Sequence, residues 1–240
     1  MERTKADKAF EAWGNATFAA VLPLVPPQAL TEGFVKDRKS IFPLLERPDL
    51  GTLPPSAVAE LRNRMGYVED VLLADSEFVG GSKLSVADVH VIWSIRWALF
   101  DLKVNDRFAG VGKKDFPKVW KLIESLPEAK GETLASEEGL KKIKEAQFSA
   151  GSVSVASDEP TGLKEGAQVT VESMEYVRPS FNRYTQDTDM ARSATPGKHP
   201  QAGKLVGTSK QEIVLALESG VRLHFPREGY VLREGGGAKL

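Results

Sequence analysis

The chain has 240 residues and a mass of 26.2 kDa, room for one large domain or two small ones. Apolar residues make up 41% and charged residues 27%, which excludes a disordered chain, a collagen-like chain and a coiled-coil rod. Lys and Arg total 32 against 33 Asp and Glu, so the net charge is −1 and no global basic surplus points to nucleic-acid phosphates. Cysteine is absent, which removes disulfides, thiolate nucleophiles and cysteine metal ligands together and suits a reducing compartment. The three histidines, His90, His199 and His224, have no metal-ligand spacing, so no metal is expected.

The longest mostly apolar run, Phe18 to Pro27, is about half of the ~20 residues a spanning helix needs, so no membrane is expected as a partner. The first eight residues mix acidic and basic side chains with no apolar core behind them, so no secretory signal is read.

Helical periodicity runs from the start to residue 148. The first segment places Phe10, Trp13, Thr17, Val21 and Leu24 at steps of three and four, and Pro23 with Pro26-Pro27 ends or kinks it. A second segment aligns Leu30, Phe34, Arg38, Ile41 and Leu45 on one face and closes at Pro48. A third opens at Pro54-Pro55-Ser56, with Ser56 as the expected cap. Its apolar stripe is Val58, Leu61, Met65, Val68 and Leu72, and its outer face carries Glu60, Arg62, Arg64, Glu69 and Asp70. Next, Ser85 and Asp88 stand three apart ahead of an apolar run, the spacing of a capping box, with Leu84 placed to staple onto Val89. The following helix, through Ile92, Trp93, Ile95, Trp97, Leu99 and Phe100, is apolar nearly all round and belongs at the centre of a bundle. Two more helices follow, Phe116 to Ser125 with Val119, Trp120 and Ile123 inward, and a more polar one from Ser136 to Phe148.

The segment Phe78-Val79-Gly80-Gly81-Ser82-Lys83-Leu84-Ser85-Val86-Ala87-Asp88 resembles the stretch that opens the central helix of the carboxy-terminal, all-helical domain of glutathione transferases (GSTs). Phe78, Val79, Gly80, Ser85, Ala87 and Asp88 match that pattern, and Phe116-Pro117-Lys118-Val119-Trp120 looks like the short helix that follows. The resemblance covers roughly residues 5 to 148 and implies that helical fold. In the family, the glutathione site sits mostly on an amino-terminal thioredoxin-like domain, and no βαβ pattern precedes residue 10 here. The resemblance therefore calls for no cofactor from this chain, and for glutathione only where a thioredoxin-like domain stands beside it.

Residues 149 to 162 read as a Ser/Gly/Val-rich linker. From 163 onward the pattern alternates. Leu163 to Ser173 reads as a turn followed by an alternating strand, and Lys204 to Gly207, Glu212 to Leu217, Val221 to Phe225 and Tyr230 to Leu232 read as further strands, with Ser219-Gly220 turning the middle pair into a hairpin. The expected class is α+β, a GST-like helical bundle (1–148) followed by a small antiparallel β-barrel or sandwich (163–240). The order of a helical part and a β-tail looks like fungal members of the GST superfamily. The long polar loop Arg178 to Gln201 carries Arg178, Arg183, Tyr184, Arg192 and His199. From Arg178 to Lys210 six Lys and Arg stand against two Asp, a local charge of +4. Such a loop could hold an anionic ligand or nucleic acid, but the strands show few exposed aromatics for base stacking. The chain ends Ala238-Lys239-Leu240, which resembles a peroxisomal address, so cytoplasmic or peroxisomal residence is expected.

The candidate catalytic groups are His90 and Arg96 on the central helix and Arg38 on the second segment. The candidate substrate contacts are Trp13, Trp93 and Trp97 with Arg183, Tyr184 and His224. His90, Trp93 and Trp97 step by three and four, as a base above aromatic walls would. A core helix whose polar groups are satisfied by neighbours is the simpler account. Arg38 reads as an anion clamp or a snorkelling Arg. Arg222 and His224 share a strand face, either beside Tyr230 in a polar cluster or as an ordinary cross-strand set. The expected function is a GST-like protein whose cleft between the two parts binds an apolar or aromatic small molecule. Any catalysis would be isomerisation, cyclisation or elimination in secondary metabolism. The alternatives are a non-catalytic binding or assembly module, such as a homodimer, and a subunit borrowing a separate thioredoxin-fold chain.

Overall fold

A computed structural model describes residues 6–39, 42–127, 131–148, 153–173 and 200–235. The chain forms two compact units, Met1–Lys130 and Gly131–Leu240.

The helical unit opens with α1 (Asp7–Val21), which Pro23 turns into a 3-10 segment, Leu22–Leu24. α2 (Glu32–Arg38) is capped by Thr31, whose Oγ1 accepts from the Phe34 amide at 3.3 Å. The periodicity through Leu45 does not extend α2: it buries no residue, and Pro43–Glu46 is a separate 3-10 turn. α3 (Pro54–Tyr67) begins two residues before the expected Ser56 cap. Pro54 and Pro55 take the first two positions, where a missing N–H leaves nothing unsatisfied. α4 (Val86–Arg96) buries Ala87, Val91, Ile92 and Ile95 completely, and α5 (Val104–Arg107) follows it. Each such Ile or Val side chain contributes about 1.5–3 kcal/mol by leaving water. α3 and α4 both end in a π turn, Val68–Leu72 and Trp97–Asp101, closed by i→i+5 bonds from Leu73 N to Val68 O and from Leu102 N to Trp97 O. α6 (Pro117–Ser125) completes the unit.

Three polar devices fix this core. The capping box at the start of α4 forms as the spacing predicts. Asp88, fully buried, accepts from the Ser85 amide at 2.8 Å and hydroxyl at 2.6 Å, and from the Val79 amide at 2.7 Å, so it ties the Phe78–Gly81 turn to the helix start. Leu84 packs on the core while Val89 stays exposed. The second device corrects the expectation of an outward Glu69. Its carboxylate is buried and accepts from the amides of Lys118 and Val119, capping α6 from a neighbouring helix. Lys118 returns the contact by donating from Nζ to the carbonyls of Leu73 and Ala74, beyond the π turn. The third is Gly14, where α1 crosses α4: a Cβ there would lie 2.1 Å from the His90 carbonyl oxygen and 3.0 Å from Trp93 Nε1.

The second unit carries α7 (Ser136–Glu145) and strands β1 (Gln168–Ser173), β2 (Gln201–Thr208), β3 (Glu212–Ala216), β4 (Arg222–Pro226) and β5 (Tyr230–Glu234). All pairings are antiparallel, in the order β4-β3-β2-β1-β5. The β3–β4 hairpin turns through Gly220, whose φ of +83° suits a residue without a side chain. The expected barrel or sandwich is corrected to an open sheet, because β4 and β5 stand at opposite edges and do not pair. Val169, Val171, Leu205, Ile213, Leu215 and Leu232 form its apolar face. Val155, Leu163 and Ala167 of the preceding segment pack there, with Phe225 and Tyr230, where a second sheet or closing strands were expected. Arg227 fastens that segment by donating Nη2 to both oxygens of buried Glu159 at 2.6 and 2.7 Å. Burial would raise the Glu159 carboxyl, but hydrogen bonds from Arg227, Thr161 and Thr208 outweigh it and hold it below its ordinary value.

Candidate functional site

The expected site residues divide between the units. Trp93 and Trp97 meet around Phe18 of α1, with ring centroids 5.2 and 5.1 Å away, and Phe42 adds a fourth ring at 5.8 Å. His90 is half-buried on α4, and its ring forms no hydrogen bond to the described residues. Arg96 is exposed and lies over Phe100 at 5.6 Å. Arg38, expected on an inner stripe, is exposed at the end of α2, bonded to Asp37 at 2.7 Å and 6.0 Å from the Phe34 ring. Among the described residues no contact joins these three groups. In the sheet unit His224 Nδ1 lies 2.9 Å from Glu212 Oε2, Arg222 sits 3.8 Å over Phe148, and Tyr230 packs on Phe225 at 5.4 Å. Of these contacts, His224 with Glu212 crosses neighbouring strands, β4 and β3. Arg178, Arg183, Tyr184, Arg192, His199 and the Ala238-Lys239-Leu240 tail lie outside the described residues.

Trp13 takes part in a more coherent constellation. An open groove of about 820 Å³ runs between α1 and α3, lined by Trp13, Ala16, Glu60, Asn63, Arg64, Gly66, Tyr67, Asp70 and Val71. The Trp13 and Tyr67 rings stand 6.5 Å apart at 32°, and the small Ala16 and Gly66 keep side-chain bulk out of the groove. Asp70 and Val71 come from the π turn that ends α3. Tyr67 is 46% exposed and Val71 55%, unusual for such large apolar surfaces side by side. Arg64 is drawn inward: Nη2 and Nε donate to Glu60 Oε1 at 2.7 and 3.1 Å, Nη1 donates to Thr17 Oγ1 at 3.0 Å, and Cζ lies 5.7 Å from the Trp13 ring. The buried Thr17 hydroxyl in turn donates to the Trp13 carbonyl at 2.9 Å. Asp70 is exposed and forms no ion pair with the described residues.

Tyr67, Arg64 and Asp70 were missed as site residues. A signal for Arg64 and Tyr67 exists: Glu60, Arg64, Tyr67 and Val71 step by four, three and four, a second stripe beside the apolar one. Among the described residues no group of three or more His, Asp or Glu could hold a metal, and no helix is long and apolar enough to cross a membrane.

The chain has a GST-like fold. A GST-like protein from Pseudomonas syringae, a solved structure, is 18% identical to it with a TM-score of 0.58; the match covers 95% of this chain and 68% of that one. A family model described as a domain of unknown function (DUF7962) matches residues 17–135, from the middle of α1 to just past α6. No curated protein sequence matches the chain.

Proposed function

We propose that this GST-like chain binds an apolar or aromatic small molecule in the groove between α1 and α3. The observation that carries the reading is the pair of rings, half-buried Trp13 and exposed Tyr67, set beside exposed Val71 on the wall of one groove. Flat ligands gain most from such walls, through area burial and ring stacking together. Turnover, where it accompanies binding, is of the non-conjugating kind: isomerisation, cyclisation or elimination of the bound molecule. A ligand other than glutathione is supported by charge: glutathione carries two carboxylates, whereas among the described residues Arg64 is the only cation lining the groove and is already held by Glu60 and Thr17.

Calorimetric titration with small naphthalene derivatives tests this reading. Tyr67→Ala removes an exposed ring without opening the core, and it weakens binding about tenfold. Unchanged affinity in Tyr67→Ala would place any binding elsewhere. The exposure of Tyr67 and Val71 also supports a second reading, in which the same face docks a second copy of the chain. Sedimentation then finds a dimer that Tyr67→Ala dissociates.

A further inference from the structure

We propose that the α1/α3 groove selects an aromatic cation, a ligand with a flat apolar body and an ammonium or amidinium group. This rests on the groove being a small-molecule site and adds the sign of charge it prefers. Three charged side chains line it: Glu60, Arg64 and Asp70. Arg64 is neutralised by Glu60 at 2.7 Å and held by the Thr17 hydroxyl, so its guanidinium belongs to the wall under Trp13. The uncompensated charge is the Asp70 carboxylate. The faces of Trp13 and Tyr67 attract positive charge through their ring quadrupoles, and Arg64 already occupies a place over Trp13 in this way. A ligand cation gains from the rings and from Asp70 together. A neutral aromatic gains the rings alone. An anion meets Asp70 and would have to draw Arg64 away from two partners.

Three probes of one ring size separate these cases: 1-naphthylmethylammonium, 1-naphthylmethanol and 1-naphthoate, titrated into the full chain by calorimetry and ligand-observed NMR. The ammonium binds about fivefold more tightly than the alcohol, as an exposed charge pair allows, and the carboxylate binds most weakly. Salt at roughly 0.5 M erodes the ammonium preference and leaves the alcohol unchanged. Asp70→Asn brings the ratio of ammonium to alcohol affinity to about one, and Asp70→Lys reverses the charge preference in favour of naphthoate. Asp70 is exposed and unpaired among the described residues, so both variants fold. Equal binding of alcohol and ammonium, sensitive to Tyr67→Ala, would overturn the charge selection while the groove stands as an aromatic site. Binding of none of the three would overturn both.

Discussion

Replacing Gly14 with alanine tests how closely α1 is held on α4. The new methyl carbon would lie 2.1 Å from the His90 carbonyl oxygen, and that neighbour is helix backbone, with no flexible end to move aside. Reaching even a tight 3.0 Å contact requires the helices to part by about 1 Å. Thr17, Val21 and Leu24 are fully buried along α1 and the turn after it, worth in burial about 2 kcal/mol for each aliphatic side chain and about 1 kcal/mol for the Thr methyl. A gap of about 1 Å forfeits up to half of the dispersion at such contacts. The loss is about 2.5 kcal/mol, and alanine returns up to about 1 kcal/mol in helix propensity. The net destabilisation is therefore about 1.5–2.5 kcal/mol, or roughly 5–10 °C in Tm for a unit of this size. All four tryptophans, Trp13, Trp93, Trp97 and Trp120, lie in the helical unit, so urea unfolding followed by tryptophan fluorescence reports on that unit alone. Gly66→Ala is the internal control. Its Cβ meets nothing closer than Phe116 Cε1 at 4.0 Å, so it gains about 0.5–1 kcal/mol. A neutral or stabilising Gly14→Ala would refute the close crossing.

Glu69→Gln keeps the shape but removes the negative charge at the start of α6; about 1–2 kcal/mol is lost in urea unfolding, and Glu69→Ala loses more. Lys103 holds a left-handed φ of 53° between the π turn and α5, so Lys103→Gly raises thermal stability by about 0.5–1 kcal/mol. Glu159 has a lowered carboxyl pKa, so its contribution is complete above its ordinary value of 4.5 and is lost as pH falls through the lower folded value. Amide exchange in β4 and β5 accelerates across that acid window in the parent chain, and Glu159→Gln flattens the acid dependence.

Much of the fold was legible because its signals are local. The Ser85–Asp88 cap, the all-apolar α4 and the alternating strands each follow from a few neighbouring residues. Glu69 was misplaced because a charged side chain reads as outward, although it stands four residues after Met65 on the flank of the buried stripe. The amides that satisfy it lie 49 and 50 residues away, beyond any local pattern. Barrel closure was likewise a non-local matter, since residues 153–167 cover the apolar face by packing that strand periodicity does not reveal. In the candidate site Trp13 was legible from its stripe. Tyr67 had a stripe of its own, but neither it nor Asp70 could be assigned to a groove, since a groove between two helices requires both to be placed before its lining can be read.

The π turns at the ends of α3 and α4 have a bearing on how such a chain can change. A π turn holds one residue more than the α turn it replaces, so removing one residue from Val68–Leu72 could restore ordinary helix without disturbing α3 upstream. Asp70 and Val71 are the groove-lining members of that turn, so a deletion there changes the wall, whereas Val68 and Glu69 beside them are buried in the core and at the start of α6. The groove wall therefore shares one short turn with the residues that hold the core, and a change in the length of that turn alters both at once.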